Sequence, residues 1–179
     1  MNRLIKVEKI DDILPALKDT PIELLFMYHN LGYPFETYEK AKMLVGMCMD
    51  NRKSLKIPDN FAYILRTGGG NLRSSEFKVS YSIAIGGVNY VALIAHNNCG
   101  MVGLAGQRER FVDGLVEKAG WERTLAEEHF DNYAPMFEIV NEIDFVLSET
   151  KRLRTRYPKI NIIPLYYNLS DNKLYQIAE

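Results

Sequence analysis

The stretch Tyr90-Val91-Ala92-Leu93-Ile94-Ala95-His96-Asn97-Asn98-Cys99-Gly100-Met101 decides how this 179-residue chain is read. An apolar run, Val91 to Ala95, delivers His96, and Cys99 follows three residues later with Gly100 behind it. Four to eight apolar residues closed by polar and glycine signals read as a buried strand of a parallel sheet. Ligand-type residues at the carboxyl end of such a strand lie where open α/β sheets place their sites.

Working outward, Met43-Leu44-Val45-Gly46-Met47-Cys48-Met49 reads as a second buried strand, ending in Asp50-Asn51-Arg52. Phe61 to Leu65 reads as a third, followed by Arg66-Thr67 and Gly68-Gly69-Gly70. Ser74 or Ser75 can cap a helix whose apolar face would be Phe77, Tyr81, Ala84, Ile85 and Val88. Beyond Cys99, a helix over 105–119 presents Phe111, Leu115, Val116 and Ala119 and stops at Gly120. A short helix over 121–134 comes next. A long one follows, with Met136, Ile139, Val140, Ile143, Leu147 and Leu153 as its buried stripe and Pro158 at its end. Asn161 to Tyr167 reads as a fourth strand and Leu174 to Ile177 as a short fifth. Residues 1–42 read as a helical N-terminal arm broken by Pro15 and Pro21. The expectation is one α/β domain over 1–179, with a mainly parallel central sheet of four strands plus a short fifth, flanked by helices.

Composition narrows the function classes. Hydrophobic content of 47% with 25% charged residues is ordinary for a soluble globular protein. A net charge of −1 provides no field for nucleic acid or anionic membrane. No apolar run approaches the roughly 20 residues of a membrane helix. The first ten residues are too charged for a signal peptide, so the expected compartment is the cytoplasm. With two cysteines in a reducing compartment, metal or catalytic roles gain over a structural disulfide.

If the strands ending at Cys48 and His96 are neighbours, Cys48, His96 and Cys99 converge at one sheet edge. Two thiolates and an imidazole suit zinc, and three protein ligands leave a fourth position open, the catalytic arrangement. Cys48, Asp50 and Arg52 share one face of an extended segment. A carboxylate there can accept the proton of a bound hydroxide, and an arginine can hold it in place and ionised. An Asp–Arg pair alone would be a plain surface ion pair; beside three zinc-type ligands it reads as functional.

Cys48-x-Asp50-x-Arg52, followed by His96-x-x-Cys99-Gly100, resembles the β-class carbonic anhydrase family over roughly residues 40–105. The compact length is closest to the family's small archaeal-type branch. The resemblance implies one Zn2+ per chain, bound by Cys48, His96 and Cys99, and reversible hydration of carbon dioxide to bicarbonate by a zinc-bound hydroxide. It also implies Asp50 and Arg52 as the catalytic dyad, substrate contact by the Gly100 N–H, and a homodimer or higher homo-oligomer. Two departures touch the pocket wall. The only glutamines are Gln107 and Gln176, so the upstream pocket glutamine of plant-like branches is missing. The glycine loop reads Thr67-Gly68-Gly69-Gly70-Asn71 where the family more often has Asn-Ala-Gly-Asn. Relatives of this fold hydrolyse carbonyl sulfide or carbon disulfide, which is the enzyme alternative; a non-catalytic structural zinc protein is the other. Asp50 itself closing the fourth zinc position is a further expectation from the family.

Other signals are weaker. His29 and His129 read as surface or structural residues before proton shuttles. The basic run Lys151–Arg156 complements a helix end rather than nucleic acid. Met43, Met47, Met49 and Met101 read as core filler.

Overall fold

A computed structural model describes residues 3–179. Six strands form one sheet: β1 (Leu4–Lys6), β2 (Met43–Cys48), β3 (Ala62–Thr67), β4 (Tyr90–His96), β5 (Asn161–Asn168) and β6 (Lys173–Ile177). Their order is β1-β6-β5-β4-β2-β3. The four strands β3, β2, β4 and β5 run parallel, whereas β6 is antiparallel to both β5 and β1. β2 and β4 are buried almost throughout, as fits central strands covered on both faces. They are also direct neighbours, with Met47 beside Ile94, so the chain segments after Cys48 and His96 leave the same edge side by side.

Five helices complete the layers: α1 (Pro21–His29), α2 (Glu76–Ala84), α3 (Arg108–Ala119), α4 (Arg123–Phe137) and α5 (Glu142–Arg156). On one face of the sheet, α1 buries Ile22, Leu25 and Phe26 with Val45, Met47 and Ile94. On the other, Val146 and Leu153 of α5 pack with Val91, Leu93 and Ile162. No helix among the described residues is long and apolar enough to cross a membrane.

The structure corrects several expectations. A sixth strand, β1, was not foreseen, because three residues carry no periodicity; its pairing to β6 supplies the signal instead. Residues 3–42 hold that strand, two 3-10 turns and a single α-helix, and Val7, Ile13, Leu17, Ile22, Leu25 and Phe26 among them belong to the main core; residues 1 and 2 of the expected arm lie outside the described residues. Of the apolar face expected for α2 only Val88, beyond the helix end, is buried; on the helix Val79 and Ser82 are buried, while Phe77, Tyr81 and the capping Ile85 are 83%, 51% and 71% exposed. On α3 only Val112 is buried, because this helix packs on α4 away from the sheet. The expected long helix from Met136 is two elements. Asn141 breaks it by accepting hydrogen bonds from Ile143 and Asp144 N–H, and Val140 points to solvent. The freed segment serves the site, since Ile139 N–H donates to Met101 O and Gly103 N–H donates to Ile139 O.

Candidate metal centre

Three side chains meet where β2 and β4 end. The donor atoms of Cys48, His96 and Cys99 lie within 4.8 Å of one another, and all three residues are buried. The two sulfurs are 3.9 Å apart and not bonded. A tetrahedral ion with metal–sulfur bonds of about 2.3 Å sets its sulfurs about 3.8 Å apart, so this spacing fits one metal ion.

The histidine is prepared for that ion. His96 Nδ1 is 2.9 Å from the Asn97 carbonyl, which can only accept, so Nδ1 carries the ring proton. That leaves the Nε2 lone pair free, and Nε2 is buried without a hydrogen-bond partner among the described residues. A buried acceptor without a partner costs about 1–3 kcal/mol, which a metal would offset. The two thiols divide their protons unequally. Cys99 S–H donates to Cys48, which drives the Cys48 pKa far below the thiol range against the effect of burial. The same contact, with burial, pushes Cys99 up. Alone, the pair accommodates one negative charge; a divalent cation would let it carry two.

Two loops hold the donors. Asn98 adopts φ 54°, a left-handed turn that asparagine tolerates, and brings Cys99 back beneath His96. Asn97 pins this turn to the end of the neighbouring strand β5 by accepting from Leu169 N–H. On the other side, Arg66 from β3 donates to the carbonyls of Cys48, Asp50 and Lys53 and so staples the loop after β2. Gly69 and Gly70 have φ of 64° and 77°, left-handed conformations that favour glycine, and Gly70 lies in van der Waals range of the Cys48 backbone. Glycine there lets the loop lie against the site. Ile139 and Met101 close the sulfurs from one side.

Asp50 sits beside this group but outside it. Arg52 holds both carboxylate oxygens, with Nε at 3.0 and 3.1 Å and Nη2 at 2.5 Å, and its backbone N–H adds a further bond to Oδ1. The guanidinium also donates to Asn98 O, tying the dyad to the loop of the other strand. These bonds keep the Asp50 carboxyl well below the usual carboxylate range although partial burial opposes them. Both Asp50 oxygens are turned to Arg52, and the clustered donor group consists of Cys48, His96 and Cys99. Gly100 is exposed, and its N–H makes no hydrogen bond among the described residues.

The remaining histidines lie elsewhere. His29 is buried and accepts from Lys56 N–H at Nδ1; burial, then the charge of Lys173, lowers its pKa to about 4. His129 stacks on Phe111 and lines an apolar cavity of about 250 Å³ with Met49, Met101 and Phe137. Reading the sequence did not identify Arg66, Asn97, Asn98 or Ile139 as site supports. Of these, only the Asn97-Asn98 pair after a strand carried a local turn signal.

The sequence matches no protein-family model and no curated protein. Solved structures do match. The β-carbonic anhydrase isoform I of Trichomonas vaginalis aligns with a TM-score of 0.66 at 16% identity, over 92% of this chain and 98% of that one. A carbonic anhydrase from Glaciozyma antarctica aligns at 0.61 and 22% identity, over 92% and 96%. A carbon disulfide hydrolase in its apo form aligns at 0.59 and 16% identity, over 78% and 80%. At these identities the likeness is one of architecture: this chain has the β-carbonic anhydrase fold.

Proposed function

We propose that the chain is a zinc-dependent carbonic anhydrase, a lyase that interconverts carbon dioxide plus water with bicarbonate plus a proton. The observation that carries the reading is the buried Cys48–His96–Cys99 group, with its free Nε2, standing next to a carboxylate locked by arginine. When bound, zinc would supply a Lewis acid that brings the pKa of a coordinated water near 7, a value the three-histidine carbonic anhydrases illustrate.

The chain's own residues do the rest. Cys48, His96 and Cys99 would hold the metal, one per chain. Asp50, fixed by Arg52, offers an acceptor oxygen that orients a hydroxyl donor entering between the two loops. Gly100 N–H is free to donate to a substrate oxygen. The carbon disulfide hydrolase of the same fold brings in a second reading, hydrolysis of carbonyl sulfide or carbon disulfide. The apolar cavity walled by Met49 and Met101, residues adjacent to and two positions from the donors Cys48 and Cys99, suits a neutral apolar substrate of either kind.

The homodimer belongs to the same reading. Edge strand β3 exposes Tyr63 and Ile64 beside Phe77, Tyr81 and Ile85 of α2, an apolar surface that a second copy would cover. Phe77→Glu with Ile85→Glu should convert a dimer into monomers by light scattering; an unchanged mass would place the interface elsewhere. Both cysteines are free and committed to the donor group, which suits the cytoplasm.

Stopped-flow hydration of carbon dioxide by zinc-replete protein, with sulfide release from carbonyl sulfide and carbon disulfide as comparison, tests the activity. Turnover of carbon dioxide is the expected result. Zinc near one per chain without turnover of any of the three leaves a structural zinc protein.

A further inference from the structure

Directly after the dyad stands Lys53, a residue the proposed chemistry does not use. It is 2% exposed, and its Nζ is buried with no hydrogen-bond partner among the described residues. Lysine is almost never fully buried unless paired, because an ammonium without a partner in the interior is expensive. Its position is enforced, since Arg66 grips the Lys53 carbonyl in the same clamp that holds Cys48 and Asp50. Burial lowers the pKa of its ammonium; the charges of Cys48 and Asp50 offset this in part, and Arg66 opposes them.

The charges of the filled site can be followed without the lysine. Two thiolates and the carboxylates of Asp50 and Glu142, the latter accepting from Cys99 N–H, are balanced by the guanidiniums of Arg52 and Arg66 and a divalent ion, so the group would be neutral. Lys53 makes it positive. We propose that Lys53 is the charge-setting residue of this pocket, which makes the metal-loaded site selective for a small monoanion of the bicarbonate type over a neutral ligand of similar size. The inference rests on the zinc reading above. It gives the buried ammonium a role that its lack of a partner inside the protein leaves open. A unit charge acting across a buried site at the effective dielectric of a protein is worth about tenfold in the affinity of a monoanion.

The test uses full-length protein loaded with cobalt(II), titrated with bicarbonate and with azide while the visible spectrum is followed. Neutral imidazole at pH 8.5 is the control. Lys53→Met should weaken both anions about tenfold, leave imidazole binding and metal content unchanged, and raise Tm, because an unpartnered buried charge has been removed. Lys53→Arg should keep wild-type anion affinity. Lys53→Gln serves as the second neutral variant if the methionine protein does not fold, with the same expected loss. Unchanged anion affinity in a neutral variant overturns the assignment. So does an equal loss of imidazole, which would mean altered packing, and so does a wild-type protein that takes up metal yet binds neither anion. Failure of the wild type to take up cobalt or zinc is a different result, and it overturns the zinc reading on which the assignment stands.

Discussion

His96 and His29 are both buried, and each engages its Nδ1, yet only one is fit to bind a metal. His96 faces a carbonyl, so Nδ1 donates and Nε2 keeps its lone pair beside two sulfurs. His29 faces the Lys56 N–H, so Nδ1 accepts and the proton must sit on Nε2. Burial alone therefore says little about a histidine's role. The polarity of one neighbouring backbone group sets the tautomer, and the tautomer sets the chemistry.

The largest test of that contrast is zinc affinity. His96→Ala or Cys48→Ser should weaken it by about 10³-fold, more than the ten- to hundredfold that outer partners are worth. His29→Gln should leave it within about threefold by chelator competition. Zinc loss in the His29 variant would break the comparison.

Next in size is the dyad. Asp50→Ala should lower turnover about 10²-fold with zinc content kept, the scale of a positioned proton-handling group. Arg52→Ala should follow in the same direction, since it leaves the Asp50 carboxylate without its clamp. Unchanged turnover in the Asp50 variant would remove the residue from the mechanism.

The smallest effect is on stability. The folded-state pKa of His29 is about 4, below its ordinary 6.5, so the folded protein binds fewer protons than the unfolded chain. The stabilisation is complete above pH 6.5 and is lost as the pH falls toward 4. Between pH 7.5 and pH 5 this one group should cost about 2 kcal/mol by urea unfolding. His29→Gln should remove that share of the slope. Asp50 has the opposite arrangement of charge, with its folded pKa depressed, so its contribution persists across this window and fades only in stronger acid.

The same contrast explains what could be read in the sequence. The donors were legible because each closes an apolar run, and parallel neighbours must release their ends at one edge. Cys48 and His96 thus follow from strand patterning, and Cys99 from its spacing to His96. Which way a helix faces was less legible. Phe77, Tyr81 and Ile85 have helical spacing and large apolar side chains, as a buried face would. They are exposed because Val79 and Ser82 occupy the side of α2 that meets the sheet. Amphipathic spacing reports that a face is apolar, not what covers it. The clamp by Arg66 and the pinning of Asn97 by Leu169 were out of reach, since each joins a side chain to a backbone group across neighbouring strands, and backbone groups carry no residue-specific signal. Asn141 was legible in principle as a helix cap and was hidden by the apolar spacing that runs across it.

The central claim is that Cys48, His96 and Cys99 hold one metal ion at an open site. X-ray absorption on protein reconstituted with zinc, alongside elemental analysis, tests it most directly. The account predicts one zinc per chain with two sulfur neighbours at about 2.3 Å, one imidazole nitrogen and one further light atom. A shell without sulfur, or no zinc retained after reconstitution, would contradict it.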